Sequence, residues 1–299
     1  MKVILGGGLI SLLARDILGD SWTIVPIGRS RFYSFNPALI DNFIVKDEVT
    51  DKYMQQHAVI PYLHRVGYSY GGQLLFSTNL ALAPYLEKVY GGKVPPHARP
   101  YYENRIDFWT SGNCVDIYSS LQAKYKDEIL GNAEKYGTPQ NINNHVITTD
   151  KGKFEYERMI STVPLDVLLK WTDISWVDLP SRDLYFYHVR TSDLDFEGAT
   201  QLLVVDPETE FHKAIMLNRL NYVFQSCAQI EYPGQYFMGF MKNFELVAET
   251  MIERAISCGP TPKIDELDTA DIMCLGSSAW DDCLDVGSSI KRLLKFGER

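Results

Sequence analysis

Residues 1–18 read MKVILGGGLISLLARDIL. Residues 1–5 are an apolar run that predicts a short buried strand. Residues 9–18 predict a helix, with Leu9, Leu12, Leu13 and Ile17 near one face. Three consecutive glycines separate the two. Glycine weakens strands and helices alike, so three together mark backbone that must pass close to something. Residues 22–27, WTIVPI, form a second short apolar run with a β-branched centre. Strand, glycine turn, helix, strand is a βαβ unit, whose right-handed crossover yields a parallel pair.

The turn has a more specific reading. Gly6 and Gly8 stand at the first two positions of GxGxxG, Leu9 opens the helix, and Ser11 takes the third position. In that pattern the first glycine makes the tight turn and the second lets backbone approach a pyrophosphate. A small third residue lets helix and strand pack closely, and the helix N-terminus offers N–H groups and partial positive charge to the phosphates. An ordinary glycine-rich turn is the plainer alternative. The end of the second strand usually carries an acid for ribose hydroxyls. Here IVPIGRSR has none, and Arg29 and Ser30 stand in its place. Arg29 either stacks on an adenine or touches a phosphate, or is a solvated surface arginine.

Working outward, 299 residues suggest one large or two smaller domains. With 45% hydrophobic and 22% charged residues the balance is that of a globular protein. No apolar run approaches the roughly 20 residues of a membrane span. The start lacks a signal-peptide pattern, because Arg15 and Asp16 directly follow its short, glycine-broken apolar segment. A cytoplasmic location is therefore expected, with no membrane partner. Five scattered cysteines without a CxxC pair argue against a disulfide framework or zinc site. The net charge of −9 without a basic stripe argues against tight binding of duplex nucleic acid, and leaves a small charged or nucleotide-like ligand open.

Further along, residues 80–89 and 114–130 predict helices, the second with Val115, Tyr118, Leu121, Tyr125 and Ile129 at helical spacing. Residues 145–162 predict a hairpin turning at Asp150–Gly152 and then a buried strand ending at Thr162. DLYFYHVRT and TQLLVVD predict strands, and FHKAIMLNRL a third. LVAETMIERAISCG predicts a helix ended by Gly259. The tail predicts a strand, a Gly/Ser turn, an irregular stretch and a last helix.

Four separated stretches, VILGGGLISLL, YSYGGQLLFSTNLALAPYLEKVYG, MISTVPLDVLL and LGSSAWDDCLDVGSSIKRLL, resemble one group in its order along the chain. The group is the flavoproteins related to UDP-galactopyranose mutase and the flavin amine oxidases. The resemblance implies FAD as cofactor, with Gly6, Gly8 and Ser11 at the pyrophosphate, Thr162 at a strand end, and Gly276 near the ribityl chain. It implies Leu284, Asp285, Val286 and Ser289 at a helix start near the isoalloxazine. A helix N-terminus there suits the negative charge of a reduced flavin. The chain departs from the group at Ser277, where arginine is usual, and at the missing ribose acid. Lys213 stands where relatives often have arginine. The arginine-rich sugar-nucleotide site of the mutases has no clear match. The implied fold is α/β with mixed α+β parts: a Rossmann-like FAD-binding domain of discontinuous segments with an inserted substrate or cap domain. Its expected divisions are 1–45 (FAD-binding), 46–135 (inserted helical segment), 136–170 (return to the FAD-binding domain), 171–245 (substrate-domain sheet) and 246–299 (C-terminal FAD-binding part).

No GxSxG elbow, HExxH or P-loop offers another engine, and the six histidines show no metal spacing. In LYFYHVRT, alternation places Tyr185, Tyr187 and Val189 on one face and Leu184, Phe186, His188 and Arg190 on the other. Either face lines a cavity or is a plain half-buried strand. Trp109, Tyr118, Tyr185, Tyr187 and Tyr222 are candidates for an aromatic cage around an amine, and His188 and Lys213 for polar contacts. Gly112 and Asn113 either pass the flavin face or cap the helix that follows, with Asp116 in its first turn. The expectation is an FAD-dependent, amine-oxidase-like oxidoreductase acting on a C–N bond of a small amine or amino-acid-like molecule. An amino-substituted nucleobase or nucleotide, in a trimmed phage-type enzyme, is a variant of it. A non-redox flavoenzyme like the mutases and a cofactor-free binding module are the alternatives. A homo-oligomer is left open.

Overall fold

The βαβ unit expected at the N-terminus forms. Strand β1 (Lys2–Leu5) leads through the glycine turn into helix α1 (Leu9–Leu18) and back to β2 (Trp22–Val25). The two strands pair in parallel, Val3 opposite Thr23 and Leu5 opposite Val25. The computed structural model describes residues 1–27, 43–57, 59, 61–92, 94, 98–103, 107–174, 181–191, 196–206, 209, 211–217, 220–227, 244–257, 267, 271–276 and 286–297. The next elements are β3 (Phe43–Val45), α2 (Glu48–Gln55), β4 (Tyr62–Tyr70), β5 (Gln73–Leu75), α3 (Leu82–Tyr90), α4 (Ala98–Glu103) and β6 (Asp107–Asn113). Then come α5 (Cys114–Tyr136), β7 (Pro139–Asn143), β8 (Val146–Thr149), β9 (Gly152–Glu155), β10 (Arg158–Ser161) and α6 (Leu165–Thr172). The chain ends with β11 (Ser181–Thr191), β12 (Gln201–Val204), β13 (Lys213–Leu217), β14 (Leu220–Cys227), β15 (Phe244–Ser257), β16 (Ile272–Cys274) and α7 (Val286–Gly297).

The chain divides into two compact units. The first comprises Met1–Pro61, Thr110–Asp178 and Thr261–Arg299. Its centre is a parallel sheet in the order β16-β10-β1-β2. Three distant pieces of chain thus supply one sheet, as expected for a Rossmann-like domain of discontinuous segments. Its strands read as near-continuous apolar runs because both faces are covered: Val3, Ile4, Leu5, Ile24, Val25 and Ile160 are fully buried. Helix α1 buries Leu12 and Leu13 into this core, where Ile117, Leu121, Ile290 and Leu293 join them. Each such side chain contributes about 1.5–3 kcal/mol of burial. α5 also guards the edge strand β2: Asn132 Nδ2 donates to the Ile24 carbonyl at 2.8 Å. A separate antiparallel sheet, β7-β8-β9, follows α5.

The second unit comprises Tyr62–Trp109 and Leu179–Pro260. Its sheet runs β15-β11-β14-β13-β12-β4, with β5 on β4. The β12–β4 pair is parallel and the others antiparallel. Tyr185, Tyr187, Val189, Leu202, Val204, Phe211 and Ala214 make a core on one face. On the other, Val66, Tyr68, Leu203 and Val205 pack against Leu82, Tyr85, Leu86 and Val89.

Two sequence expectations are corrected. Residues 246–257, read as helix, form most of strand β15, because pairing with β11 from Ser181↔Ser257 to Thr191↔Phe244 overrides local helix propensity. The expected divisions also shift. Residues 46–61 and 110–135 belong to the first unit, because α2 and α5 bury Tyr53, Met54, Ile117 and Leu121 in its core. Residues 246–260 belong to the second unit, because β15 completes its sheet.

Candidate cofactor site

The glycine turn sits at the carboxyl edge of the parallel sheet, where open α/β sheets hold ligands. Gly6 N–H donates to the Val25 carbonyl at 3.0 Å, which ties the turn to the end of β2. Its φ of +133° lies where side chains are strained, and an added Cβ would run into the Thr162 hydroxyl and lie 2.7 Å from Ser11 Oγ. Gly6 therefore answers to tight internal packing. Gly8 is different: its φ is −83°, and a Cβ there would meet nothing within 4 Å. The space over Gly8 is open.

Helix α1 starts at this point with no side-chain cap and no acid in its first turn. Gly8 accepts from Leu12 N–H at 3.1 Å, so the helix is properly begun. The N–H groups of Gly7, Gly8 and Leu9 find no protein acceptor among the described residues. Unpaired donors at the positive end of a helix, beside an open glycine, suit an anionic oxygen.

Ser11 packs helix against strand, as the motif's small third residue suggested. It is fully buried, and its hydroxyl shares a 2.7 Å hydrogen bond with Thr162. Thr162 also contacts the Leu5 carbonyl through its hydroxyl at 3.2 Å and its N–H at 3.0 Å. The pair welds α1 to the ends of β1 and β10, and the Ser11 side chain is turned inward. Gly276, just past β16, has φ +59°, and an added Cβ would sit 3.1 Å from Ile10 Cγ1 in the first turn of α1. Thr162 and Gly276 thus meet the glycine turn along one edge.

Helix α7 points the same way as α1. Gly297 lies against Leu18, an added Cβ coming within 3.3 Å of Leu18 Cδ2. Phe296 stacks edge-on against Trp22 with 5.9 Å between ring centroids. Both contacts fall at the amino edge of the sheet, so the N-terminus of α7 is directed to the carboxyl edge. Val286 and Ser289 stand in its first turn with buried side chains. Two helix N-termini therefore address the edge that carries the glycines. Arg29, Ser30, Ser277, Leu284 and Asp285 lie outside the described residues.

The candidates for an aromatic cage stand in different settings. Tyr187 is fully buried and Tyr185 nearly so, packed with Phe196, Leu202 and Phe211. Alternation points both inward, and they are core residues. His188, half-buried on the opposite face, has its pKa lowered by burial and then by nearby Arg190. Lys213 is buried beside Leu203, its cross-strand partner, on the same face as His188. Trp109 is 56% exposed and Tyr118 is packed in the first unit's core. Gly112 is a packing residue: at φ +145° it lies against Val59, with Met54 Cε 3.3 Å from an added Cβ.

One charged node escaped the sequence reading. Asp16, on α1, accepts from Lys124 Nζ at 2.6 Å, Tyr53 Oη at 2.9 Å and Tyr125 Oη at 2.9 Å, and His57 Nε2 lies 3.1 Å away. Burial alone would raise its pKa. The hydrogen bonds from Lys124, Tyr53 and Tyr125 outweigh burial and hold it below the usual carboxylate range. The spacing of one aspartate in an amphipathic helix gives no hint of these partners.

No protein-family model matches the chain, and no curated protein is similar to it in sequence. Solved structures are similar in fold. Reduced UDP-galactopyranose mutase shares 15% identity over 99% of this chain and 93% of its own, with a TM-score of 0.66. An oxidoreductase from Methanosarcina mazei shares 12% over the full length of both, with a TM-score of 0.60. L-proline dehydrogenase from P. horikoshii shares 10% over 99% of this chain and 92% of its own, with a TM-score of 0.55. The fold is the mixed α/β, Rossmann-like architecture of these enzymes. Among the described residues no helix is long and apolar enough to cross a membrane.

Proposed function

We propose that this chain is an FAD-dependent oxidoreductase, amine-oxidase-like in acting on a C–N bond of an amine or amino-acid-like substrate. The observation that carries the cofactor is the bare turn at Gly7, Gly8 and Leu9, with open space over Gly8 and unpaired N–H groups at a helix start. The residues fit the group. Gly7, Gly8 and Leu9 would hold the diphosphate through backbone. Gly276 and the first turn of α7 would flank the rest, and Thr162 and Ser11 would keep the turn in shape. When bound, FAD would accept a hydride from the carbon beside an amine nitrogen, leaving an imine that water converts to a carbonyl and a free amine. The likeness to L-proline dehydrogenase supports C–N chemistry at the level of fold. His188 and Lys213, on the sheet face opposite the Tyr185–Tyr187 core, are our choice for polar substrate contacts.

Anaerobic titration of the flavin-loaded protein with a panel of amines and amino acids tests this reading. Loss of the flavin absorbance with one substrate class, slowed about tenfold or more in His188→Ala, is expected. No bleaching by any amine overturns the C–N assignment.

The fold likeness to UDP-galactopyranose mutase favours a second reading, a non-redox flavoenzyme working on a nucleotide-linked substrate. Turnover only after chemical reduction of the flavin, with no net oxidation of substrate, identifies that case.

A further inference from the structure

A buried polar chain crosses the second unit's sheet beside Lys213. His64, on β4, is fully buried. Its Nδ1 lies 2.7 Å from Thr200 Oγ1 and its Nε2 2.9 Å from Gln201 Oε1. The Thr200 hydroxyl has one proton to give. The Arg65 carbonyl, 3.0 Å away, already accepts from Thr200 N–H at 2.8 Å, so the hydroxyl proton goes to His64 Nδ1 at the shorter distance. Thr200 Oγ1 in turn accepts from Arg65 N–H at 3.0 Å. With Nδ1 accepting, His64 carries its proton on Nε2 and donates it to Gln201 Oε1.

That bond occupies the Gln201 carbonyl and turns its amide nitrogen the other way. Gln201 is 6% exposed, and its Nε2 finds no acceptor among the described residues while still reaching solvent. A nearly buried amide with unpaired N–H groups at an opening suits a ligand oxygen. The register sets the charge around it. Gln201 stands opposite Ile215 and Leu203 opposite Lys213, so Gln201 and Lys213 are diagonal neighbours on one face, about 7–8 Å apart at Cα. Lys213 is itself 5% exposed. His64 shares that face with Val66, which pairs with Gln201. Among the described residues of β4, β12 and β13, no aspartate or glutamate occupies that face. A cation and an amide donor with no acid beside them fit a carboxylate, whose two oxygens take both at once.

We propose that Gln201, oriented by His64, binds together with Lys213 the carboxylate of the substrate, which makes the substrate class an amino acid and not a simple amine. The substrate class rests on the C–N reading; the carboxylate site does not. Calorimetry on the whole protein with FAD present compares benzoate with benzamide, for the unaltered chain and for Gln201→Met, His64→Gln and His64→Leu. Gln201→Met keeps the side chain's volume and removes its donors. His64→Gln keeps a donor toward Gln201, and His64→Leu removes it. We expect benzoate to bind about tenfold or more tighter than benzamide, and Gln201→Met to lose about tenfold in benzoate affinity with benzamide unchanged. His64→Gln should keep the preference that His64→Leu loses. Benzoate bound no better than benzamide by the unaltered protein overturns the site, whether or not the variants fold. Unchanged benzoate affinity in Gln201→Met overturns the part given to Gln201. Benzoate preference in a protein whose flavin no amine or amino acid bleaches leaves the site standing and overturns the C–N reading. Equal bleaching by amino acids and by the matching amines without a carboxylate does the reverse: the C–N reading stands and the amino-acid assignment falls.

Discussion

Gly6 and Gly8 are two residues apart and answer to opposite demands. Gly6 is enclosed by Thr162 and Ser11 at a φ that favours glycine, whereas Gly8 opens onto empty space at an ordinary φ. Gly6→Ala should therefore cost about 2–4 kcal/mol of stability, from backbone strain and overpacking together. Gly8→Ala should cost under about 1 kcal/mol and weaken FAD binding, because its methyl group enters the space left for phosphate. Denaturant unfolding and FAD titration of the two variants separate the roles. A Gly8→Ala protein with unchanged FAD affinity contradicts the assignment of the turn. The glycine pattern was legible in sequence because its spacing is local. The Ser11–Thr162 hydrogen bond was not, since it joins residues 151 positions apart. Tyr185 and Tyr187 show the same limit. Alternation put them correctly on one face of β11, but only the packing of Phe196, Leu202 and Phe211 decided that this face is core.

At the scale of elements, α1 is fixed to α2 and α5 through Asp16. Its folded pKa is held down, so its stabilisation is complete above the ordinary carboxylate pKa of about 4 and is lost as pH falls through the lower folded value. The unfolding midpoint of the wild type should fall more steeply below about pH 5 than that of Asp16→Asn. The variant should be less stable by about 2 kcal/mol at pH 7, and the difference should shrink in acid. Parallel pH profiles contradict a paired Asp16 carboxylate. Tyr53 also has its hydroxyl pKa driven up, by burial and then by Asp16, and so remains a donor throughout this range. Elements whose pattern matches their surroundings, such as β1, α1, β2 and α5, were readable from residue spacing. β15 was not: Leu246, Ala248, Glu249 and Met251 favour a helix on their own, and strand β11 imposes the extended form.

Across the whole molecule, a parallel sheet is assembled from residues 2–5, 22–25, 158–161 and 272–274. Two helices, α1 and α7, bring their N-termini to its carboxyl edge. The second unit carries a largely antiparallel sheet with cores of its own. The fold class followed from the order of short motifs spread along the chain, which survives great divergence. The domain limits did not follow, because α2 and α5 return to the first unit on the strength of long-range packing. The central claim is that the bare glycine turn holds FAD. The measurement that tests it most directly is the visible absorption spectrum of the purified, FAD-supplemented and desalted protein, taken before heating and again on the supernatant after heat denaturation. The account predicts a bound flavin spectrum whose chromophore is released intact by heat. A protein that emerges colourless after incubation with FAD contradicts it, and leaves a flavoprotein fold serving some other purpose.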